Sequence, residues 1–307
     1  MPNSTVAEWD ALSDQLAGVA QQLDKSIVCV DGGHRIGCSG IIWRPGIVVT
    51  ASHMLRRTDH IDVIFGDQSR TPASFAGRDP GTDIAVLRLE NASLGTPAQL
   101  FEAPKLRLGQ LVLALGRSRL GDLAATSGII ARLGAAWQTW RGGKMDRLLR
   151  PDVTLYPGQS GSALVDSSAK VLGMNTSALA RGAAITVPTA TVERVVDEIL
   201  EHGSVFRPYL GLAMQPVALP KELAGKLKIA RESALMVMQV EPDSPSAKAG
   251  MMLGDIILGI NSQPAAGIED IQQALRSAKR DDSVELEYAR GGQLASTKMK
   301  LADRPLR

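Results

Sequence analysis

The sequence predicts a mainly β domain followed by a smaller α+β module. From residue 26 to residue 188, short apolar runs alternate with turns rich in Gly, Pro, Asp and Ser, which is typical of an all-β barrel or sandwich. Helical patterns flank this region at residues 5–24 and at Thr191–His202. After the linker Glu201–Pro208 the pattern changes to four strands and two short helices within roughly 100 residues.

The predicted elements follow the apolar runs and the residues that end them. In the first domain strands are expected at Ser26–Asp31, Gly40–Arg44, Ile47–Ala51, Ile61–Gly66, Ile84–Glu90, Leu111–Gly116, Ser127–Leu133, Ala163–Asp166, Val171–Thr176 and Ala184–Pro188. Thr189 is expected to cap the following helix, and Gly203 to end it. In the second module strands are expected at Leu235–Val240, Asp255–Ile260, Ser283–Ala289 and Ser296–Leu301, with helices near Ser246–Ala249 and Ile268–Lys279.

The composition argues for a folded protein and against several partners. Of 307 residues, 44% are hydrophobic and only 4% aromatic, so the core is aliphatic and stacking on bases is disfavoured. Thirty-four basic and 32 acidic residues give a net charge of +2, which predicts neither nucleic acid nor an anionic membrane as the main partner. The apolar runs are too short to span a membrane.

One face of the first helix is apolar. Trp9, Leu12, Leu16, Val19 and Leu23 follow alternating spacings of three and four residues, which places them on one stripe. Two interpretations remain open: the stripe packs on its own domain, or it contacts another protomer.

The amino terminus and the two cysteines predict the compartment. The first residues lack the basic start and the apolar stretch of a signal peptide, so the chain as given is expected in the cytoplasm, or in the periplasm if its start is truncated. Cys29 and Cys38 lack metal-binding spacing, and no metal is expected. Two free buried thiols are predicted, with a cross-strand pair as the alternative.

Three residues have the types and the order needed for acyl transfer. His53 follows an apolar strand in Thr50-Ala51-Ser52-His53, Asp83 enters the apolar run at residues 84–87, and Ser160 stands between two glycines. Each alone is more often structural. The G-x-S-x-G elbow is excluded, because residue 162 is Ser and that fold needs the order Ser, Asp, His. The order His, Asp, Ser is that of the chymotrypsin arrangement.

The surrounding blocks carry a family resemblance. TASH at 50–53, TDIAVL at 82–87 and GQSGSALV at 158–165 are similar to the catalytic blocks of trypsin-like serine proteases of the HtrA (Deg) family. Segments 126–130, 171–175 and 184–188 resemble further strands of that family, and segments 241–250 and 254–261 resemble a PDZ domain. The resemblance covers about residues 20–304. It implies an N-terminal helix (1–24), a chymotrypsin-like double β-barrel protease domain (25–202) and an α+β PDZ domain (203–307).

The resemblance implies a serine endopeptidase that cleaves unfolded or misfolded proteins without a cofactor. Ser160 would be the nucleophile, His53 the base, and Asp83 the residue that orients His53. The N–H groups of Gly158 and Ser160 would form the oxyanion hole. The specificity pocket is expected from Thr154, Leu155, Tyr156, Ala184 and Ile185. These residues carry no negative charge, so small or medium aliphatic side chains are expected before the cut.

Peptides ending in a free carboxylate are the second expected kind of partner. Tyr209, Leu210, Gly211 and Leu212 resemble the carboxylate-binding loop of PDZ domains, and a peptide would add as a strand beside Leu212–Met214. Ile271 and Leu275 would form the facing wall, unless these apolar residues are simply core. The family also implies a homotrimer or a multiple of it.

The sequence departs from the family pattern near the nucleophile. Gln159 replaces the usual Asn, and Ser162 replaces the usual Gly, which adds a side chain beside the nucleophile's strand. Residues 115–120 replace the usual GNPFG with a loop that contains Arg117 and Arg119, either solvated or in a regulatory contact. Two alternative functions stay open. One is a weak or inactive protease that acts as a chaperone or peptide sensor, and the other is an oligomeric scaffold that uses the apolar stripe of the first helix and the PDZ groove.

Overall fold

The computed structural model describes residues 4–101, 106–180, 183–227, 229, 232–276 and 278–303. The chain divides into two compact units, with the boundary between Val205 and Phe206. The predicted linker begins too early, because Glu201 and His202 still belong to a helix.

The first unit opens with a helix, α1 (Ser4–Leu23), and a 3-10 turn, Asp24–Ser26. The second half of α1 packs on its own domain, since Val19 and Leu23 are buried and Leu16 packs against the same cluster. Trp9, near the other end, is 68% exposed. The interpretation that the apolar stripe packs on its own domain therefore holds only for the second half of this helix.

Six antiparallel strands close the first barrel in the order β1-β2-β3-β6-β5-β4. They are β1 (Ile27–Asp31), β2 (Cys38–Arg44), β3 (Ile47–Ala51), β4 (Ile61–Ile64), β5 (Arg70–Asp79) and β6 (Ile84–Leu89). A 3-10 turn, Ser52–Met54, follows β3. Valines 28, 30 and 48 share one core cluster with Leu87, while Ile27, Val49 and Val86 belong to another. Both faces of these strands are therefore buried, which is why the sequence reads as continuous apolar runs.

A second barrel closes in the order β11-β14-β13-β12-β7-β8. The strands of this region are β7 (Leu111–Arg117), β8 (Leu123–Gly134), β9 (Trp137–Gln138), β10 (Lys144–Met145), β11 (Leu148–Pro151), β12 (Ala163–Val165), β13 (Val171–Thr176) and β14 (Ile185–Pro188). Strands β9 and β10 form a separate ribbon. Leu115, Val165 and Met174 share a cluster with the outer residues of the first barrel, so apolar packing holds the two barrels together.

Helix α2 (Thr189–His202) packs against strands of both barrels. Val192, Val196 and Ile199 are buried in the common cluster. Gly203 ends the helix in a left-handed conformation, with φ of +76°, as predicted. The predicted cap is wrong, because Thr189 is already helical and its hydroxyl donates to the Phe101 carbonyl at 3.3 Å.

The second unit contains a five-strand sheet path in the order β16-β17-β18-β20-β21, which β19 joins by pairing with β18. Its strands are β15 (Pro208–Tyr209), β16 (Leu212–Ala218), β17 (Ser233–Val240), β18 (Ile256–Ile260), β19 (Gln263–Pro264), β20 (Ser283–Arg290), β21 (Gln293–Lys300) and β22 (Ala302–Asp303), and its helices are α3 (Lys221–Leu227), α4 (Pro245–Lys248) and α5 (Ile268–Leu275). Strand β15 pairs with β22. Ser244 caps α4 by accepting the Ala247 N–H at 3.1 Å.

In the barrels, strands β5 and β11 were not predicted, and neither were the short strands β9, β10, β15, β19 and β22; of β16, only the edge at Leu212–Met214 was expected. In β5 only alternate residues are buried, such as Thr71 and Ala73, and the strand contains Pro72. A weakly apolar, proline-containing segment gives little strand signal by itself. Its strand conformation depends on pairing with β4 and β6, which is tertiary information.

The cysteines lie on adjacent strands but point to opposite faces. In the β1–β2 ladder Cys29 pairs with Ser39, and Val30 pairs with Cys38. Paired residues share a face and neighbours along a strand alternate, so the two thiols are on different sides of the sheet. Both are free and buried. Burial raises the pKa of Cys29 to about 11 and that of Cys38 to about 12.

We expect no disulfide between Cys29 and Cys38, even in protein purified without a reductant. A disulfide needs Cβ atoms that face each other, and one strand would have to slip by a residue. A thiol titration in denaturant should find two thiols per chain. In native protein at pH 8, alkylation should be slow because both pKa values lie well above that pH. Fewer than two thiols after denaturation would contradict the ladder register.

Candidate active site

His53 and Asp83 are held together by two hydrogen bonds. The Nδ1 atom of His53 lies 2.7 Å from Asp83 Oδ2, and the His53 backbone N–H donates to Oδ1 at 2.9 Å. His53 lies in the 3-10 turn after β3, and Asp83 directly precedes β6. Since β3 pairs with β6, the strand ladder itself brings these residues together. Asp83 is buried, whereas about three-tenths of the His53 side chain is exposed, with a relative accessibility of 29%.

Asp83 has an unusual backbone conformation that its surroundings stabilise. Its φ is +60°, in the left-handed region that non-glycine residues seldom adopt. Before it, the Asp79 carboxylate accepts hydrogen bonds from the Gly81 N–H and from the N–H and hydroxyl of Thr82. The Asp83 carbonyl accepts the Ser52 N–H at 2.9 Å. These bonds hold the turn that aims the carboxylate at His53.

A third donor reaches the same carboxylate from the second barrel. The Thr176 hydroxyl donates to Asp83 Oδ2. Thr176 ends β13, and its Oγ1 also accepts the Ala178 N–H at 3.0 Å. The Asp83 carboxylate is therefore fully engaged, by the first barrel through His53 and by the second through Thr176.

Ser160 lies in a tight turn with two unused N–H groups. The Gln159 N–H donates to the Tyr156 carbonyl at 2.9 Å. Pro157 and Gly158, with φ of +88° at the glycine, occupy the two central positions, as in a type II turn. Among the described residues, no acceptor receives the N–H of Gly158 or of Ser160. Two free donors beside a serine hydroxyl suit an oxyanion.

The turn is tied to the first barrel by Ser39 of β2. The Ser39 N–H and hydroxyl both donate to the Gly158 carbonyl, at 2.8 and 3.1 Å. The Ser39 hydroxyl oxygen in turn accepts the backbone N–H of Arg117 at 3.1 Å. Gln159 adds a local bond, because its Oε1 accepts the Tyr156 N–H at 2.9 Å.

The departures from the family pattern have structural roles. The Ser162 hydroxyl accepts a hydrogen bond from Asn175 Nδ2 at 3.1 Å. The Arg117 side chain is buried, and it donates to the carbonyls of Asp24, Ile27 and Gly121. A solvated loop is therefore the wrong interpretation for Arg117. Its neighbour two residues on, Arg119, is half-exposed and pairs with Asp31.

The residues predicted for the specificity pocket differ in exposure. They are Thr154, Leu155, Tyr156, Ala184 and Ile185. Thr154 and Tyr156 are exposed on the segment that enters the Ser160 turn. Ala184 and Ile185 are buried, and Ile185 pairs with Thr176 in the β13–β14 ladder. The ladder thus brings Ile185 next to Thr176, whose hydroxyl donates to Asp83.

The residues predicted for peptide binding lie in the second unit between β15 and α5. They are Tyr209, Leu210, Gly211, Leu212, Ile271 and Leu275. Leu210 and Ile271 are core residues, while Leu212 and Leu275 are half-buried. In the part of the chain that the structure describes, the N–H groups of Leu210 and Gly211 meet no acceptor. Gly211 has φ of +82°, and a Cβ there would lie 2.1 Å from Ser244, so this loop requires glycine.

Sequence reasoning missed Thr176, Ser39 and Ser177 as parts of the site. Their contacts with Asp83, Gly158 and Ser160, respectively, cross 93, 119 and 17 residues of chain. No local pattern marks such a hydroxyl. A hint was available for Thr176 alone, which ends a predicted strand.

Comparisons with known proteins agree with this geometry. Residues 38–174 match the trypsin-like peptidase domain, and residues 208–301 match the PDZ domain. A probable periplasmic serine endoprotease DegP-like of Marinomonas sp. (strain MWYL1) is 31% identical over 275 residues, which are 88% of this chain and 57% of the relative. A probable periplasmic serine protease do/HhoA-like of Haemophilus influenzae is 30% identical over 83% of this chain and 55% of its own length. The chain thus spans little more than half the length of these curated relatives.

Solved structures show the same architecture. The HtrA-type protease AlgW, solved with a decapeptide, has a TM-score of 0.69 and 25% identity over 95% of this chain and 99% of that chain. The form solved with a tripeptide has a TM-score of 0.65 and 27% identity, over 95% and 98%. A serine endoprotease from Yersinia pestis, at 24% identity and a TM-score of 0.70 over 94% and 98%, shares the fold.

The predicted cytoplasmic location is wrong. The relatives are named as periplasmic proteases. The first residues of a sequence do not distinguish a cytoplasmic chain from a processed or shortened one. No helix among the described residues has the length and apolar character to cross a membrane.

A chymotrypsin-like double barrel carries the ordered His, Asp and Ser of its catalytic blocks, and a PDZ domain follows it. The matches to both domains and the likeness to DegP-like and HtrA-type proteases agree. The chain belongs to the HtrA (Deg) family of trypsin-like serine proteases.

Proposed function

We propose that this protein is a serine endopeptidase that cleaves unfolded or misfolded proteins in the periplasm. The observation that carries the proposal is the buried Asp83 carboxylate at 2.7 Å from His53 Nδ1, on the edge of the site that contains Ser160. The names of the relatives support the location.

In this mechanism the Ser160 hydroxyl attacks the scissile carbonyl carbon, and His53 takes its proton. Asp83 holds the His53 tautomer with its N–H on Nδ1 and stabilises the imidazolium that forms. The N–H groups of Gly158 and Ser160 bind the oxyanion. His53 then gives its proton to the leaving amine, and water attacks the acyl-enzyme by the same steps.

The second candidate function is a catalytically weak chaperone or peptide sensor. The observation that favours it is that Ser160 and His53, both described, share no hydrogen bond, while Ser160 Oγ lies 3.0 Å from Ser177 Oγ. The two candidates differ in whether Ser160 reacts.

The PDZ domain takes the carboxylate end of a peptide. The free N–H groups of Leu210 and Gly211 support this, because paired backbone donors suit a carboxylate. AlgW, a similar structure, was solved with a decapeptide and with a tripeptide. The assembly is a homotrimer or a multiple of it, and the exposed Trp9 end of α1 lies in the contact.

We expect Ser160→Ala to lower kcat for peptide cleavage by roughly six orders of magnitude, as loss of a triad nucleophile does. The fold should persist, because Ser177 is the one residue of the described chain that is hydrogen-bonded to the Ser160 side chain. Casein cleavage and fluorophosphonate labelling measure the activity, and thermal unfolding controls for the fold. Casein cleavage retained in pure variant protein would refute the protease assignment. Wild-type protein that is folded but never labelled would favour the second candidate.

We expect cuts after Val, Ala or Leu rather than after Lys or Arg. None of the five predicted pocket residues is acidic, and a buried cation without a carboxylate partner is costly. The preference should be broad, because one methylene changes selection by only about 1–3 kcal/mol. Sequencing the products of an unfolded substrate tests this. A dominant set of cuts after basic residues would show that the pocket lies elsewhere.

We expect a peptide with a free carboxylate and an apolar last residue to bind the PDZ domain at least about tenfold more tightly than its amide. Hydrogen bonds to a charged group are worth about 1.5–3 kcal/mol, and the amide loses that charge. Titration calorimetry on the full chain measures both peptides. Gly211→Ala, which strains the loop, should weaken binding of the free-acid peptide and leave binding of the amide nearly unchanged. Equal affinity of acid and amide for wild-type protein would exclude this binding mode.

We expect Trp9→Glu to reduce the assembly from a trimer to smaller species, because a charge would replace exposed apolar surface in the contact. Light scattering at micromolar concentration measures the mass. Ala7→Glu is the matched control, since Ala7 is exposed on the opposite face of the same helix. A monomeric wild-type protein would contradict the proposed assembly, and an intact trimer in Trp9→Glu would place its contact elsewhere.

A further inference from the structure

The nucleophile's hydroxyl is engaged by a residue outside the triad. Ser160 Oγ lies 3.0 Å from Ser177 Oγ, and the Ser177 backbone N–H donates to Ser160 Oγ at 3.3 Å. His53, which is oriented by Asp83, makes no hydrogen bond with Ser160 in the described structure. The Ser160 hydroxyl, which must give its proton to His53, is therefore hydrogen-bonded to Ser177 instead.

Ser177 is held in place by the same strand end that supports Asp83. It follows Thr176, whose hydroxyl donates to the Asp83 carboxylate and accepts the N–H of Ala178. Thr176 also pairs with Ile185 in the β13–β14 ladder. The backbone of Ser177 is therefore held between Thr176 and Ala178, which are hydrogen-bonded to each other. Its contact with Ser160 depends on the end of the strand and not on a free loop.

A serine hydroxyl has one proton and two lone pairs. If Ser160 donates to Ser177, its proton is turned away from His53. If Ser177 donates, Ser160 accepts two hydrogen bonds, and its lone pairs are less available for attack. In the first arrangement the Ser160 proton must turn from Ser177 to His53, and in the second a lone pair of Ser160 must be released from the Ser177 hydroxyl before it can attack. The reactive arrangement of the Ser160 hydroxyl must therefore compete with a hydrogen-bonded one.

We propose that Ser177 is a positioning residue whose hydroxyl holds the Ser160 hydroxyl in an unreactive hydrogen-bonded arrangement and so limits the rate of acylation. This proposal rests on the proposed endopeptidase function and names a residue that regulates it. Loss of one hydrogen bond shifts such an equilibrium by about two- to tenfold. The Ser177 N–H remains in every side-chain variant, so the restraint should be relieved in part.

The test compares Ser177→Ala with wild-type protein in fluorophosphonate labelling. In that reaction Ser160 Oγ bonds to phosphorus, fluoride leaves, and His53 takes the hydroxyl proton. We expect the maximal labelling rate to rise by about two- to tenfold in Ser177→Ala, with the half-saturating probe concentration unchanged. With a peptide substrate, kcat should rise by a similar factor at constant KM, provided that acylation limits turnover. A merely structural role would lower the unfolding temperature or change KM.

Two variants control the comparison. Ser177→Thr keeps a hydroxyl at this exposed position, so as the conservative variant it should restore the restraint and label at nearly the wild-type rate. Ser167→Ala removes an exposed serine hydroxyl from the turn between β12 and β13, and it should also match wild type. Together they separate the effect of the hydroxyl at residue 177 from general effects of substitution.

The outcomes separate this inference from the proposed function. Labelling of wild type with equal or slower labelling of Ser177→Ala would overturn the role of Ser177, and slower labelling would mean that its hydroxyl assists the reaction. If folded wild type and all variants fail to label, the endopeptidase function itself fails. Faster labelling of Ser177→Ala together with wild-type rates for both controls would support the restraint.

Discussion

The burial of the Asp83 carboxylate is the constraint on which the rest of the site depends. A buried carboxylate without donors is costly, and this one meets its need with donors from both barrels. His53 supplies two from the turn after β3, and Thr176 supplies the third from the end of β13. If one barrel moved relative to the other, the Asp83 carboxylate would lose one of its hydrogen-bond donors. The orientation of His53 therefore depends on how the two barrels pack against each other.

The nucleophile is positioned by a second link between the barrels. Ser39 of β2 gives both of its donors to the Gly158 carbonyl, so the first barrel holds the turn that the second barrel supplies. Close approach makes this possible: a Cβ on Gly161 would lie 2.0 Å from the Ser39 carbonyl oxygen. The glycine after Ser160 is therefore needed for contact between the barrels as well as for the turn.

The sequence predicts most of the fold and singles out the candidate catalytic residues. Strands β3 and β13 have the predicted bounds, because both faces of each are buried and the apolar run is continuous. Strand β5 escaped prediction because its burial alternates and depends on its neighbours. The same limit applies at the site. His53, Asp83 and Ser160 lie in recognisable blocks, whereas Ser39 and Thr176 are ordinary hydroxyl residues that only the closed barrels bring to the turn and the carboxylate.

The side chain that contacts the Ser160 hydroxyl is not the one that the sequence pattern suggested. Ser162 was expected to affect Ser160 because its side chain is an addition to the family pattern. Its hydroxyl instead accepts from Asn175, whose Oδ1 accepts the Thr186 hydroxyl at 2.7 Å. These buried bonds join the residue before β12 to β13 and β14, and none of them involves the Ser160 hydroxyl. The contact with Ser160 Oγ comes from Ser177, a residue that no catalytic block contains. The end of β13 therefore contacts both parts of the candidate site, because Thr176 donates to the Asp83 carboxylate and Ser177 is hydrogen-bonded to the Ser160 hydroxyl.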